Sequence, residues 1–162
     1  MSRLTIAVLI AGIIGSPTIV DAQPSPTAPR PVEMYIHPGV RDPTDVLVAD
    51  VSDAQYFLAS MAIEDGRASA KAGQNPRAWV DVELKTNHGT PEKPYYSVLF
   101  LFEFNCQDHT YRQLADISYA ASLLEKPYPP LPRPPGPWNS ATGAKFAQPA
   151  SALVCETSAA RP

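Results

Sequence analysis

Alternating apolar and polar residues mark three consecutive strands in the middle of the chain. From Ala78 to Lys85 every second residue is apolar, whereas from Tyr95 to Phe104 both alternating sets carry apolar side chains. The first pattern is typical of a half-buried strand and the second of a central strand. A third alternating stretch runs from His109 to Tyr119, and turn-forming residues at Asn87 to Pro91 and Asn105 to Asp108 separate the three. Short connections of this kind predict an antiparallel meander.

The segment before these strands, residues 53–65, fits two structures. Its apolar residues have helical spacing, with a capping box at Ser52 and Gln55 and an end at Gly66, which favours a helix. The run Tyr56 to Leu58 is equally typical of a short buried strand followed by a turn. Periodicity alone leaves both interpretations open.

Prolines divide the rest of the chain. Six of the 19 lie in residues 23–43, a composition that predicts a mobile, extended tether in which Val32 to Ile36 could add an edge strand. A second cluster from Pro127 to Pro137 favours polyproline II and predicts a stiff loop. We expect this loop mainly to limit chain entropy, although such segments also dock on aromatic grooves of partners.

The first 22 residues have the composition of a secretory signal. Arg3 provides the positive region, Leu4 to Ile14 the apolar region, and Val20 to Ala22 a small-residue cleavage site, so we expect cleavage before Gln23. The alternative, a membrane anchor, needs about 20 apolar residues. The sequence therefore predicts an exported protein without a membrane span after cleavage.

Charge and cysteine content narrow the function classes. A net charge of −3 without a basic run argues against nucleic-acid binding. Two cysteines in an exported chain predict one intramolecular disulfide, Cys106 to Cys155. It would close a loop of about 50 residues, worth roughly 4 kcal/mol. Pro149 suits the first turn of a short helix that leads to Cys155, and the spacing of the cysteines argues against a metal site.

A series of short sequence motifs between Tyr56 and Cys155 resembles the surface-adhesin protein E-like family of small exported bacterial proteins. The most distinctive part is Phe104-Asn105-Cys106 followed by the run Thr110 to Leu114. Further matches are Tyr56 to Leu58 with Ile63 and Asp65-Gly66, Trp79-Val80, Tyr119, Trp138, and Pro149 to Cys155. The chain departs from the family's pattern in its first turn, where Ala59 and Ala62 replace an aspartate and a serine that are common there.

The resemblance implies an antiparallel sheet flanked by a helix, and it shifts the interpretation of Gln55 to Leu58 from helix toward strand, with a turn at Asp65-Gly66. The family takes its name from an adhesin that engages host matrix proteins, but most members have no assigned activity. We therefore predict an α+β fold in residues 44–156, namely an antiparallel meander with a short C-terminal helix and one disulfide. Residues 157–162 are predicted to be a disordered tail.

Few residues suggest catalysis. Asp81, Glu83 and Glu103 lie on neighbouring predicted strands and could form an acid–base set, but the polar face of a sheet has the same pattern. The chain has no motif for a nucleophile, a phosphate loop or a zinc protease. The three histidines, His37, His88 and His109, lack ligand spacing and are expected to be solvated.

Arg112 and four aromatic residues are the candidates for binding. Arg112 can pair with Asp116 or with a carboxylate on the neighbouring strand and stack on an aromatic ring. The aromatic set could form an exposed binding surface, or could simply close the second face of the sheet. Its members are Trp79, Tyr95, Tyr119 and Trp138.

These observations predict a non-enzymatic protein-binding module that uses no cofactor or metal. We expect it in the periplasm, at the cell surface or secreted, with an unknown envelope or extracellular protein as its partner. The alternatives are an envelope hydrolase that uses the sheet carboxylates and a small-ligand carrier with an apolar cavity under Pro127 to Pro137.

Overall fold

In the computed structural model, which describes residues 38–130 and 133–156, the strands form one antiparallel sheet. Each strand pairs with its neighbours in the chain, so the predicted meander and fold class are confirmed. The strands are β1 Val46–Asp50, β2 Ala54–Leu58, β3 Arg77–Thr90, β4 Lys93–Asn105, β5 Thr110–Tyr119 and β6 Asn139–Ser140, and the helices are α1 Ser60–Lys71 and α2 Ala147–Cys155.

The hairpin of β3 and β4 is longer than predicted. Asn87 to Pro91 was expected to end β3, but after an irregularity the pairing resumes at His88 opposite Tyr95 and continues to Thr90 opposite Lys93. Gly89 permits this, because its φ of +91° and its close approach to the Lys93 carbonyl leave no room for a Cβ. Residues typical of a turn therefore extend the hairpin beyond the sheet.

Residues 53–65 contain both predicted structures in succession. Tyr56 to Leu58 belongs to β2, and α1 begins at Ser60. The predicted capping box at Ser52 is wrong because Ser52 precedes a strand. Gly66 neither ends a helix nor forms a turn; it is buried within α1.

The two helices cover one face of the sheet, which we call the helix face. Its core contains side chains from β2, β3 and β4 together with residues of both helices, and it accounts for the alternation of apolar residues along these strands. The core residues are Ala54, Leu58, Ala62, Ile63, Ala78, Val80, Val82, Phe102, Phe104, Ala150 and Val154.

The disulfide attaches α2 to the sheet. Cys106 directly follows β4, and Cys155 is the last residue of α2. Their Cα atoms lie 5.5 Å apart and the bond spans 49 residues of sequence. The predicted pairing is confirmed.

The described residues of the proline-rich segment 127–137 follow the outer edge of β5. The Tyr128 N–H donates to the Ser118 carbonyl at one end, and the Gly136 N–H donates to the Gln113 carbonyl further along. This segment covers backbone groups that would otherwise be open to another strand.

Several predictions fall on residues outside the described part of the chain. These are the signal 1–22, most of the tether 23–43 with its strand Val32 to Ile36, His37, and the tail 157–162. None of the helices formed by the described residues is long and apolar enough to cross a membrane.

Candidate functional site

The opposite face of the sheet, which we call the second face, carries two of the four predicted aromatic residues, Trp79 of β3 and Tyr119 of β5. Tyr119 is only 2% exposed and forms a small core with Leu99 and Leu124, against which the half-buried Trp79 packs. The prediction that Tyr119 belongs to an exposed surface is therefore wrong. The loop that follows β5 folds back over the sheet, and its Leu124 covers the Tyr119 side chain. Trp79 and Tyr119 close this face of the sheet.

The other two aromatic residues lie elsewhere. Tyr95 is half-buried near the tip of the β3–β4 hairpin, where its ring lies 6.0 Å from that of His88. Trp138, directly before β6, is 40% exposed and lies against Arg112. The structure therefore does not bring the four predicted aromatic residues together into one surface.

Arg112 lies in a cluster that joins three strands. Its guanidinium binds one carboxylate oxygen of Glu103 through Nε, at 2.6 Å, and through Nη2, while Arg77 binds the other oxygen at 3.0–3.1 Å. The Glu103 side chain is only 6% exposed. The Arg112 guanidinium also lies 4.5 Å from the centre of the Trp138 ring. The predicted pairing with a neighbouring strand and the stacking on an aromatic ring are both present, but Asp116 instead binds Gln113 and Arg133.

We call Arg77, Glu103, Arg112 and Trp138 the arginine–tryptophan cluster. Two guanidinium groups and one carboxylate leave it with one net positive charge. The buried Glu103 fixes both arginines, and Arg112 in turn supports the exposed indole. This arrangement holds a large aromatic side chain and two cations in place at the surface before any partner binds.

A second cluster holds the segment that precedes β1. Arg41 donates to Asp81 at 3.0 Å and lies 3.4 Å from Glu83, and its guanidinium stacks 3.4 Å above the Phe57 ring. The Gly39 N–H donates to the Leu123 carbonyl. Residues 38–43, predicted as part of a mobile tether, therefore pack on the second face.

The three carboxylates proposed as an acid–base set fall into these two separate clusters. Asp81 lies opposite Leu99 of β4, four residues from Glu103, which corresponds to about 14 Å along the strand. Paired carboxylates of glycoside hydrolases lie about 5–9.5 Å apart. Asp81 and Glu83 are close to each other, but Arg41 binds both. This geometry does not support the hydrolase alternative.

The described histidines are both exposed, His88 in β3 rather than in a loop and His109 in the turn before β5. Within residues 38–130 and 133–156, no group of three or more His, Cys, Asp or Glu side chains is arranged to hold a metal ion.

Burial raises the pKa of Asp81 to about 7, and the Glu83 carboxylate contributes to the increase while Arg41 opposes it. Burial also raises the pKa of Glu83, against a hydrogen bond from the Leu123 N–H and the charge of Arg41. An acid whose pKa is higher in the folded than in the unfolded chain stabilises the fold at low pH, and this stabilisation is lost as the pH rises through the folded-state pKa.

The free energy of unfolding is therefore expected to fall between about pH 4 and pH 7, by up to about 1.4 kcal/mol per pH unit for the one proton of Asp81, and to level off above pH 7. Urea unfolding at several pH values measures this slope. Asp81→Asn should flatten it, whereas Asp50→Asn should not, because the pKa of Asp50 is lowered by its hydrogen bond with Lys85. An unchanged slope in Asp81→Asn would contradict the assignment.

Arg41 and Arg77 are the site residues that sequence reasoning missed. Arg41 lies within a proline-rich stretch, where no periodicity relates it to Asp81, forty residues away. Arg77 lies one residue before the predicted start of β3. Its pairing opposite Glu103 follows from strand register. Extending the predicted strand by one residue, to Arg77, would have placed it there.

Comparisons with known proteins agree with this architecture. The surface-adhesin protein E family matches residues 59–156. No curated protein matches the chain at a significant level.

Solved structures of Haemophilus influenzae protein E are also similar. Crystal form II is 15% identical with a TM-score of 0.51, and the match covers 73% of this chain and 91% of that one. A second structure of the same protein is 12% identical with a TM-score of 0.48, covering 75% and 91%. The fold with its disulfide and the match over 98 residues lead to one conclusion: the chain belongs to the surface-adhesin protein E family.

Proposed function

We propose that this chain is an exported bacterial protein of the envelope or cell surface that acts as a non-enzymatic protein-binding module. Its family is described as a surface adhesin, and a signal-like segment precedes the domain. The observation that carries the proposal is the exposed Trp138 stacked on Arg112, which the buried Glu103 orients.

The chemistry of the arginine–tryptophan cluster favours a protein partner. Tryptophan and arginine are the residue types most enriched where a few side chains carry most of the energy of a protein interface. Both arginines use Nε and Nη2 to bind Glu103, so each Nη1 group can still donate to an incoming acceptor. The net positive charge favours an acidic segment with an apolar side chain for the indole.

Trp138→Ala is expected to weaken binding by about 30-fold, since loss of a dominant interface residue costs about 2 kcal/mol or more. The measurement is retention of extracellular matrix or envelope proteins on the immobilised full chain, followed by titration of the retained protein. Trp138 is a better choice for this substitution than Trp79, because loss of the Trp79 side chain would also disturb the small core against which it packs.

Tyr96→Ala is the matched control. Tyr96 is an aromatic residue with 36% exposure, and its place in β4 puts it on the helix face. Equal retention by wild type and Trp138→Ala, or equal loss in Tyr96→Ala, would contradict the proposed surface.

A further inference from the structure

We propose that a cavity between the β3–β4 hairpin and the proline-rich segment binds an acidic sugar residue. Its volume is about 250 Å³, just below the range of about 300–1,000 Å³ used by drug-sized ligands. This size suits one sugar ring. The cavity is lined by Gly89, Thr90, Lys93, Tyr95, Asp116, Ser118, Tyr128, Pro129 and Arg133.

The charges around this cavity favour a ligand with one negative charge. Asp116 accepts a hydrogen bond from Gln113 and lies 3.5 Å from Arg133, whose side chain is 58% exposed. Within the described part of the chain, Lys93 takes part in no ion pair, and its ammonium lies 4.7 Å from the centre of the Tyr128 ring. Two cations and one carboxylate leave one positive charge for the carboxylate of a ligand.

The uncharged part of the lining suits a sugar ring. Tyr95 and Tyr128 provide aromatic surface for the apolar face of a pyranose, and Thr90 and Ser118 provide hydroxyl groups for its hydroxyls. Apolar surface with a few polar groups in fixed positions is the usual composition of a small-ligand site. The cavity expected for a small-ligand carrier was apolar, whereas this one has a charged and hydroxylated lining.

The walls are held in place without a ligand. The Tyr128 hydroxyl donates to the Pro94 carbonyl, and the Tyr128 N–H donates to the Ser118 carbonyl. Thr90 Oγ1 accepts a hydrogen bond from the Lys93 N–H. Bonds of this kind reduce the ordering cost of binding.

This site is separate from the arginine–tryptophan cluster. Asp116, which lines the cavity, lies four residues from Arg112 on β5, which corresponds to about 14 Å along the strand. Either site can therefore fail its test without affecting the other.

The test titrates the full chain, purified from the periplasm of an expressing strain and labelled with ¹⁵N, with two acids and a neutral sugar. Glucuronic acid represents acidic polysaccharides, N-acetylneuraminic acid represents sialylated glycans, and glucose is the neutral control. We expect saturable shifts of the Gly89, Thr90 and Ser118 amides with at least one acid, at an affinity at least about tenfold above that for glucose. Binding of only one acid would identify the source of the sugar.

Lys93→Gln should weaken this binding at least about tenfold, because it removes a charge-assisted hydrogen bond. Lys71→Gln, at the exposed end of α1, should leave it unchanged. The absence of saturable shifts with both acids, an equal response to glucose, or wild-type affinity in Lys93→Gln would each overturn the proposal.

Discussion

The double variant Cys106→Ser/Cys155→Ser is expected to lose about 4 kcal/mol of unfolding free energy. The disulfide spans 49 residues, and opening a loop of this length releases a corresponding amount of chain entropy in the unfolded state. Single domains are stable by only about 5–15 kcal/mol, so the variant should be close to unfolding at 37 °C. Urea denaturation of the oxidised and substituted proteins measures the difference.

Reduced wild type is the matched control, because it lacks the bond but keeps the native residues. It should resemble the double variant within about 1 kcal/mol. The helix face contains buried residues of α2, Ala150 and Val154, so the packing of α2 on the sheet is the same in both proteins. A loss below about 1 kcal/mol would mean that packing alone holds α2 on the sheet.

Gly66→Val is expected to cost about 3 kcal/mol, the second largest effect. A Cβ at Gly66 would lie 2.8 Å from the Cβ of Val154 and 3.4 Å from its Cα, so α2 would have to move away from α1. Overpacking of this kind typically costs about 1–3 kcal/mol, and a valine adds two further methyl groups to the contact. The same urea experiment measures the loss.

Ala68→Val, on an exposed position of the same helix, measures the effect of a valine in α1 without the contact to α2 and should cost at most about 0.7 kcal/mol. Gly66→Ala combined with Val154→Gly tests the contact directly, because glycine removes the Cβ of residue 154 that a Cβ at Gly66 would approach to 2.8 Å. If the two side chains collide, the double variant should be more stable than the sum of the single effects indicates. Additive effects would mean that the Gly66 substitutions destabilise the protein through other contacts of α1 and not through Val154.

The alternation of residues along β3, β4 and β5 was sufficient to predict the meander and the two faces of each strand. Period-two patterns are local, because successive side chains of a strand point to opposite faces whatever the sheet packs against. The ambiguity at Tyr56 to Leu58 arose because a strand of five residues and the helix that follows it lie within one short apolar window. Residue spacing cannot divide such a window.

The candidate sites were less accessible from sequence. Arg112 could be assigned a carboxylate on the neighbouring strand, but the register that selects Glu103, and adds Arg77 opposite it, is a property of the assembled sheet. The alternation along β5 does not show whether Tyr119 is buried or exposed. It is the loop carrying Leu124 that buries this side chain. The cavity at the hairpin tip combines three segments that are distant in sequence.

The sequence alone determined the order of β3, β4 and β5, the resemblance to the family and the one disulfide, because each rests on spacing within the chain or on the number of cysteines. The tertiary structure decided which side chains are buried, where Gly66 packs, and how Arg41 and Arg77 find their carboxylates. These depend on long-range contacts between segments whose sequence separation carries no periodic signal, and so they become defined only when the sheet, its helices and its loops are in place.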